Sequence, residues 1–198
     1  LVILNSDENN IQDVMDKGCW TPQEKFSSST DSKENKSGWA SNYINPDGSE
    51  FEVLLDGETM GLVKWTQIGR HNVSNALAAI AAARHVGVPV NYAIEALAEF
   101  KGIKRRMELR GEVNGVCVYD DFAHHPTEIE TTLQGLRASV SYERIIAILE
   151  PRSNTMRLGV HKETLARSLE KADKVILFQP KGIDWDMGSV LDYLGDKA

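Results

Sequence analysis

Residues 116–137 read VCVYDDFAHHPTEIETTLQGLR. The segment opens on an apolar run, Val116-Cys117-Val118-Tyr119, and breaks on two carboxylates, Asp120 and Asp121. Pro126 suits the first turn of a helix, where its missing N–H costs nothing. Ile129, Leu133 and Leu136 then recur at helical spacing, so the pattern predicts a strand feeding a helix over 126–137. Downstream the alternation continues, with a strand over 144–149, a helix over 162–170 and a strand over 174–178. Alternating strands and helices indicate βαβ units, hence an α/β fold with a parallel sheet covered by helices.

Upstream the pattern changes. Val73, Ala76, Leu77, Ile80 and Ala83 follow helical spacing in an alanine-rich stretch that Gly87 and Pro89 terminate. A second helix is expected over 92–100, with Ile94, Leu97 and Ala98 inward. The Lys101-Gly102-Ile103-Lys104 stretch is the natural boundary, dividing the chain into domains 1–103 and 104–198. Before residue 66 short strands and loops are expected. Residues 1–4 read as a buried strand, and 27–38 as a polar surface loop. Residues 51–55 and 61–65 flank Asp56-Gly57, a hairpin signal, and resemble the antiparallel edge of a larger sheet. The chain begins on an apolar run without Met, which suggests a piece of something longer.

Composition narrows the function. Apolar residues make up 41%, a globular level. The formal net charge of -7 argues against general binding to nucleic acid or anionic membrane, both of which need a basic face. No apolar run is long enough to span a membrane, and no leader pattern opens the chain. Cys19 and Cys117 form no metal or disulfide pattern and read as free thiols in a reducing compartment.

In parallel sheets, ligands bind beyond the carboxyl ends of the strands, and polar residues crowd those ends here. Asp120, Asp121, His124 and His125 follow the first strand; Glu150 to Arg157 follow the second; Gln179 and Pro180 follow the third. All three groups are expected on one edge. A strand-end carboxylate suits a ribose diol, and a helix N-terminus flanked by histidines suits an anion. Equally, His125 or Thr127 could simply cap the helix. Arg152 and Arg157 bracket Ser153, Asn154 and Thr155, a set fit for carboxylates and peptide groups, or a solvated loop. Asn72 and Asn75 share a helix face beside His71 and can offer both donor and acceptor to a purine edge, or serve as local caps. Arg105 and Arg106 could reach nucleotide phosphates, or form an exposed charge run.

These pieces occur together and in order. Gly69-Arg70-His71-Asn72-x-x-Asn75-Ala76, then Arg105-Arg106-x-Glu108, then 118–128, then Leu149-Glu150-Pro151-Arg152-Ser153-Asn154-Thr155-Met156-Arg157 resemble the Mur ligase family over essentially the whole chain. Gly18-Cys19-Trp20 and Phe178-Gln179-Pro180 fit as well. The resemblance implies the tail of an α/β ATPase domain with antiparallel edge strands, followed by a Rossmann-like C-terminal domain incomplete at its end.

The nearest branch is the cytoplasmic one that recycles peptidoglycan. It implies ATP and Mg2+ as cofactors, with UDP-N-acetylmuramate and a murein tripeptide, L-Ala-γ-D-Glu-meso-diaminopimelate, as substrates. It further implies adenine contacts from Asn72 and Asn75 beside His71, phosphate or ribose contacts from Arg106, and a ribose contact from Asp121. His124 and His125 are placed near the reacting centre, and Arg152, Ser153, Asn154, Thr155 and Arg157 at the peptide. Alternatives are the L-alanine-adding branch and a non-enzymatic nucleotide-binding module. No GxxxxGK[ST] phosphate loop occurs in the chain, so the chain alone is expected not to hydrolyse ATP.

Overall fold

The computed structural model describes residues 1–28, 37–140, 143–183 and 185–198. They divide into two units, Leu1–Lys101 and Gly102–Ala198.

The first unit is a five-stranded sheet in sequence order: β1 (Val2–Asn5), β2 (Gln23–Ser27), β3 (Trp39–Tyr43), β4 (Glu50–Leu55) and β5 (Glu58–Lys64). The first three strands run parallel, and β3, β4 and β5 pair antiparallel. The antiparallel edge is as expected; the parallel half and a short helix α1 (Asn9–Met15) were not anticipated. Asp56 and Gly57 both have positive φ, 51° and 85°, the backbone that a tight two-residue hairpin demands.

Alternate residues Phe51 and Val53 of β4 and Val63 of β5 share one fully buried face. Against this core pack Val73, Ala76, Leu77, Ile80 and Ala81 of helix α2 (Arg70–His85) and Ile94 of helix α3 (Val90–Ala98). Three expectations are corrected here. Leu1 is exposed and only Leu4 of the opening run is buried, because β1 lies at the sheet edge with a single neighbour. Ala98 is exposed: it closes α3, and Val90, Ala93 and Leu97 fill the places beside Ile94. Ser27 and Ser28 are buried, Ser27 at the end of β2, where the sequence suggested a surface loop; residues 29–36 of that stretch lie outside the described residues.

In the second unit, β6 (Glu108–Val113) and β7 (Val116–Asp120) form an antiparallel hairpin, and β8 (Ile146–Leu149) and β9 (Lys174–Leu177) form a parallel pair. The expectation that residues 116–119 form the first strand of the parallel sheet is therefore corrected. Asn114 and Gly115, with φ of 52° and 76°, make a tight turn that returns β7 onto β6. Asn-Gly is a strong hairpin signal that the strand–helix reading passed over.

The parallel pair is flanked by α4 (Pro126–Val140), α6 (Lys162–Ser168) and α7 (Gly188–Leu194), with a single helical turn, α5 (Asn154–Arg157), after β8. Their core joins Ile129 and Leu133 of α4, Met156 of α5, Leu165 of α6, Val175 of β9 and Val190 of α7. Ile146, Ile148 and Ile176 alternate away from it and are exposed. None of the described helices is long and apolar enough to cross a membrane.

Candidate functional site

Asp121, just past β7, is held firmly. The Met107 N–H donates to its Oδ2 at 2.8 Å and the Ala123 N–H to its Oδ1 at 2.7 Å. This carboxylate thereby ties the strand end to the segment before β6, where Arg105 and Met107 take positive φ of 61° and 47°. Each oxygen keeps a second lone pair for another donor. Beside it, the Arg105 Nε lies 3.5 Å from Asp120 Oδ2, and the guanidinium stacks 4.9 Å over the Phe122 ring. Arg106 is half-exposed and only loosely paired, 4.0 Å from Glu128 Oε1. It is therefore a cation with spare donors.

The turn from Asp121 to α4 is built by capping. His125 precedes Pro126, its carbonyl accepts from the Ile129 N–H, and its Nδ1 accepts from the Thr127 N–H at 3.2 Å. The capping alternative for His125 is thus realised. In the neutral ring this cap leaves the proton on Nε2, so His125 retains one donor. Glu128 reaches back to the His124 N–H at 3.0 Å, as in a capping box, and lies 3.4 Å from the His124 Nδ1. Burial pushes the Glu128 carboxyl up. The backbone N–H groups of His124 and His125 and the charges of His124 and Arg106 outweigh it, so its pKa lies below the ordinary range.

Loop 150–161 after β8 folds around α5. Ser153 caps that turn, its Oγ accepting from the Met156 N–H at 3.3 Å, with Thr155 Oγ1 at 3.3 Å. Met156 is the buried anchor, at 1% exposure, so its neighbours Arg152, Asn154, Thr155 and Arg157 stay exposed on a fixed scaffold. Arg152 lies 3.6 Å from Glu150. The loop after β9 closes against this one. The Trp185 Nε1–H donates to the Met156 carbonyl at 2.8 Å, and Arg157 packs so tightly over Gly182 that a side chain there would meet its Nη2.

β7 lies outside the parallel sheet, and the loops after β8 and β9 meet through the Trp185 and Arg157 contacts. The link to the first group is His161, at the end of loop 150–161, whose ring lies 4.5 Å from that of His125. Sequence reasoning missed His161, since an isolated histidine before a helix carries no motif.

In the first unit, Asn75 is exposed on α2, and Asn72 is half-buried with its amide donating to the Ile68 carbonyl at 2.8 Å. Among the described residues neither the side-chain oxygen of Asn72 nor the amide of Asn75 makes a hydrogen bond. His71 is half-buried at the start of the same helix. Polar residues not anticipated gather at the carboxyl ends of β1 and β2. Asp7 accepts from Ser27 Oγ at 2.5 Å and from the Ser28 N–H at 2.9 Å, and lies 3.7 Å from Arg70, the first residue of α2. This network fastens the start of α2 to the sheet. Cys19 and Cys117 are free thiols. Among the described residues no group of three or more His, Cys, Asp or Glu side chains is arranged to hold a metal ion.

Fold and site together define an α/β protein whose candidate site residues sit on loops at strand ends. Comparison with known proteins is specific. Residues 1–83 match the Mur ligase middle domain, and residues 105–192 match the Mur ligase glutamate ligase domain. The chain belongs to the Mur ligase family.

It is 50% identical, over 96% of its length, to the UDP-N-acetylmuramate–L-alanyl-γ-D-glutamyl-meso-2,6-diaminoheptandioate ligase of Escherichia coli, and 44% identical to that of Haemophilus influenzae. It spans 40% and 41% of those two proteins. A murein peptide ligase structure from Psychrobacter arcticus is 44% identical, with a TM-score of 0.65 over 97% of this chain and 40% of that one. The UDP-N-acetylmuramate–alanine ligase of Thermotoga maritima is 26% identical, with a TM-score of 0.72 over 98% of this chain and 40% of that one.

Proposed function

We propose that this chain is part of an ATP-dependent ligase that joins UDP-N-acetylmuramate to L-Ala-γ-D-Glu-meso-diaminopimelate in peptidoglycan recycling. The supporting observation is the 50% identity, across 96% of the chain, to a ligase named for that reaction. Relatives named for L-alanine reach 40% over 66% of the chain, or 39% over 89%.

In this reaction a carboxylate oxygen attacks the γ-phosphorus of ATP and ADP departs. The peptide amine then attacks the resulting acyl phosphate, loses a proton, and phosphate departs. Mg2+ bound with ATP neutralises phosphate charge. Its protein ligands are not assigned to this chain.

The residues here have matching chemistry. Asn75 and the side-chain oxygen of Asn72 suit the adenine edge, with His71 beside them. Arg106 suits phosphate or ribose oxygens. Asp121 suits the ribose diol through its remaining lone pairs. His125 Nε2–H is a donor for a phosphate oxygen, with His124 adjacent. The exposed Arg152, Asn154, Thr155 and Arg157, with the Ser153 turn, suit the carboxylates of the peptide.

The deciding assay supplies the full-length gene product with ATP, UDP-N-acetylmuramate and either tripeptide or L-alanine, and weighs the products by mass spectrometry. A tripeptide adduct is expected. A product formed with L-alanine alone overturns the assignment in favour of the alanine-adding branch.

A further inference from the structure

His161 belongs to no motif, yet it occupies a particular place. Its carbonyl accepts from the Leu165 N–H at 2.9 Å and from Thr164, so its backbone is fixed at the start of α6. Its ring meets the His125 ring at 4.5 Å between centroids and 72° between planes, an edge-to-face contact. The His125 ring is already held at Nδ1 by the Thr127 N–H. One hydrogen bond still leaves a ring free to rock about its Cβ–Cγ bond, whereas a second aromatic edge or face removes that freedom. Among the described residues neither ring nitrogen of His161 makes a hydrogen bond, so the contact does not divert the His125 Nε2–H to another protein acceptor.

We infer that His161 is a positioning residue: it locks the His125 imidazole as the Nε2–H tautomer in one rotamer, tying loop 150–161 to the start of α4. This rests on the reading that His125 serves the reacting phosphate. Pre-orienting a donor removes its reorganisation when charge develops on the phosphate, so the effect falls on the rate of the chemical step and not on binding.

Two variants test it. His161→Phe keeps an aromatic ring against His125; His161→Ala removes it. In 15N-imidazole NMR of the full chain, His125 should show the Nε2–H pattern in the wild type and in His161→Phe. In His161→Ala it should show averaged tautomer shifts. In the full-length ligase, kcat should fall about tenfold in His161→Ala, the order that an aromatic contact is worth, with KM for ATP and tripeptide unchanged and the rate recovered in His161→Phe. An unchanged His125 spectrum in His161→Ala overturns the inference while leaving the ligase reading intact, and so does a loss of rate shared equally by both variants. If His125→Ala itself has wild-type kcat, the role given to His125 fails, and the catalytic consequence drawn for His161 fails with it.

Discussion

Replacing Asp121 by Ala removes an acceptor from two backbone N–H groups at once, Met107 at 2.8 Å and Ala123 at 2.7 Å. A hydrogen bond to a charged acceptor contributes about 1.5–3 kcal/mol when shielded. Asp121 is half-buried, so solvent screening reduces each bond to about 1 kcal/mol. The pair therefore contributes roughly 2 kcal/mol, a factor of about 30 in an equilibrium constant. The loss should be local, because the freed segment is the one holding Arg105 and Met107 in the left-handed region. Native-state hydrogen exchange resolves this: the Met107 and Ala123 amides should exchange about 30-fold faster in Asp121→Ala. Amides in the α2 helix of the other unit should not change. Asp121→Asn keeps one carbonyl oxygen and should fall between. Equal exchange at Met107 and Ala123 in wild type and Asp121→Ala would falsify the claim that this carboxylate holds the strand end. The experiment also separates two roles, since Asp121→Asn can preserve much of the fold while weakening a ribose contact.

Two further outcomes follow from the same region and from the sequence. The Glu128 pKa is held below the ordinary range, so its stabilisation is complete above the unfolded value, about 4.3. It is lost as pH falls through the lower folded value. The stability gap between wild type and Glu128→Gln, measured by urea unfolding, should be open at neutral pH and close in acid; a gap constant with pH would refute the coupling. The 198-residue chain should release no more phosphate from ATP than its Asp121→Ala variant, because it contains no GxxxxGK[ST] loop. Turnover above that control would show that the phosphates are gripped by residues present here.

Much of this was readable in the amino-acid sequence because the signals were local. Val73, Ala76, Leu77 and Ile80 recur at helical spacing and are four of the five residues that α2 buries. Asp56-Gly57 requires positive φ at both positions, which almost dictates a tight hairpin. Pro126 marks a helix start, because its missing N–H and fixed φ suit the first turn. The family was likewise carried by ordered short motifs.

Tertiary structure decided what depends on partners distant in sequence. Whether β7 joins the parallel strands or folds back on β6 is a competition between two pairings, and its apolar run is compatible with both. That Ser27 and Ser28 are buried follows from the Asp7 carboxylate arriving from another strand end. Asp121 was legible as a strand-end carboxylate, and its Ala123 donor is local, but its Met107 donor lies 14 residues away and becomes a partner only when the hairpin closes. His161 had no local signal at all: its meaning is the ring of His125, which chain folding alone brings within 4.5 Å.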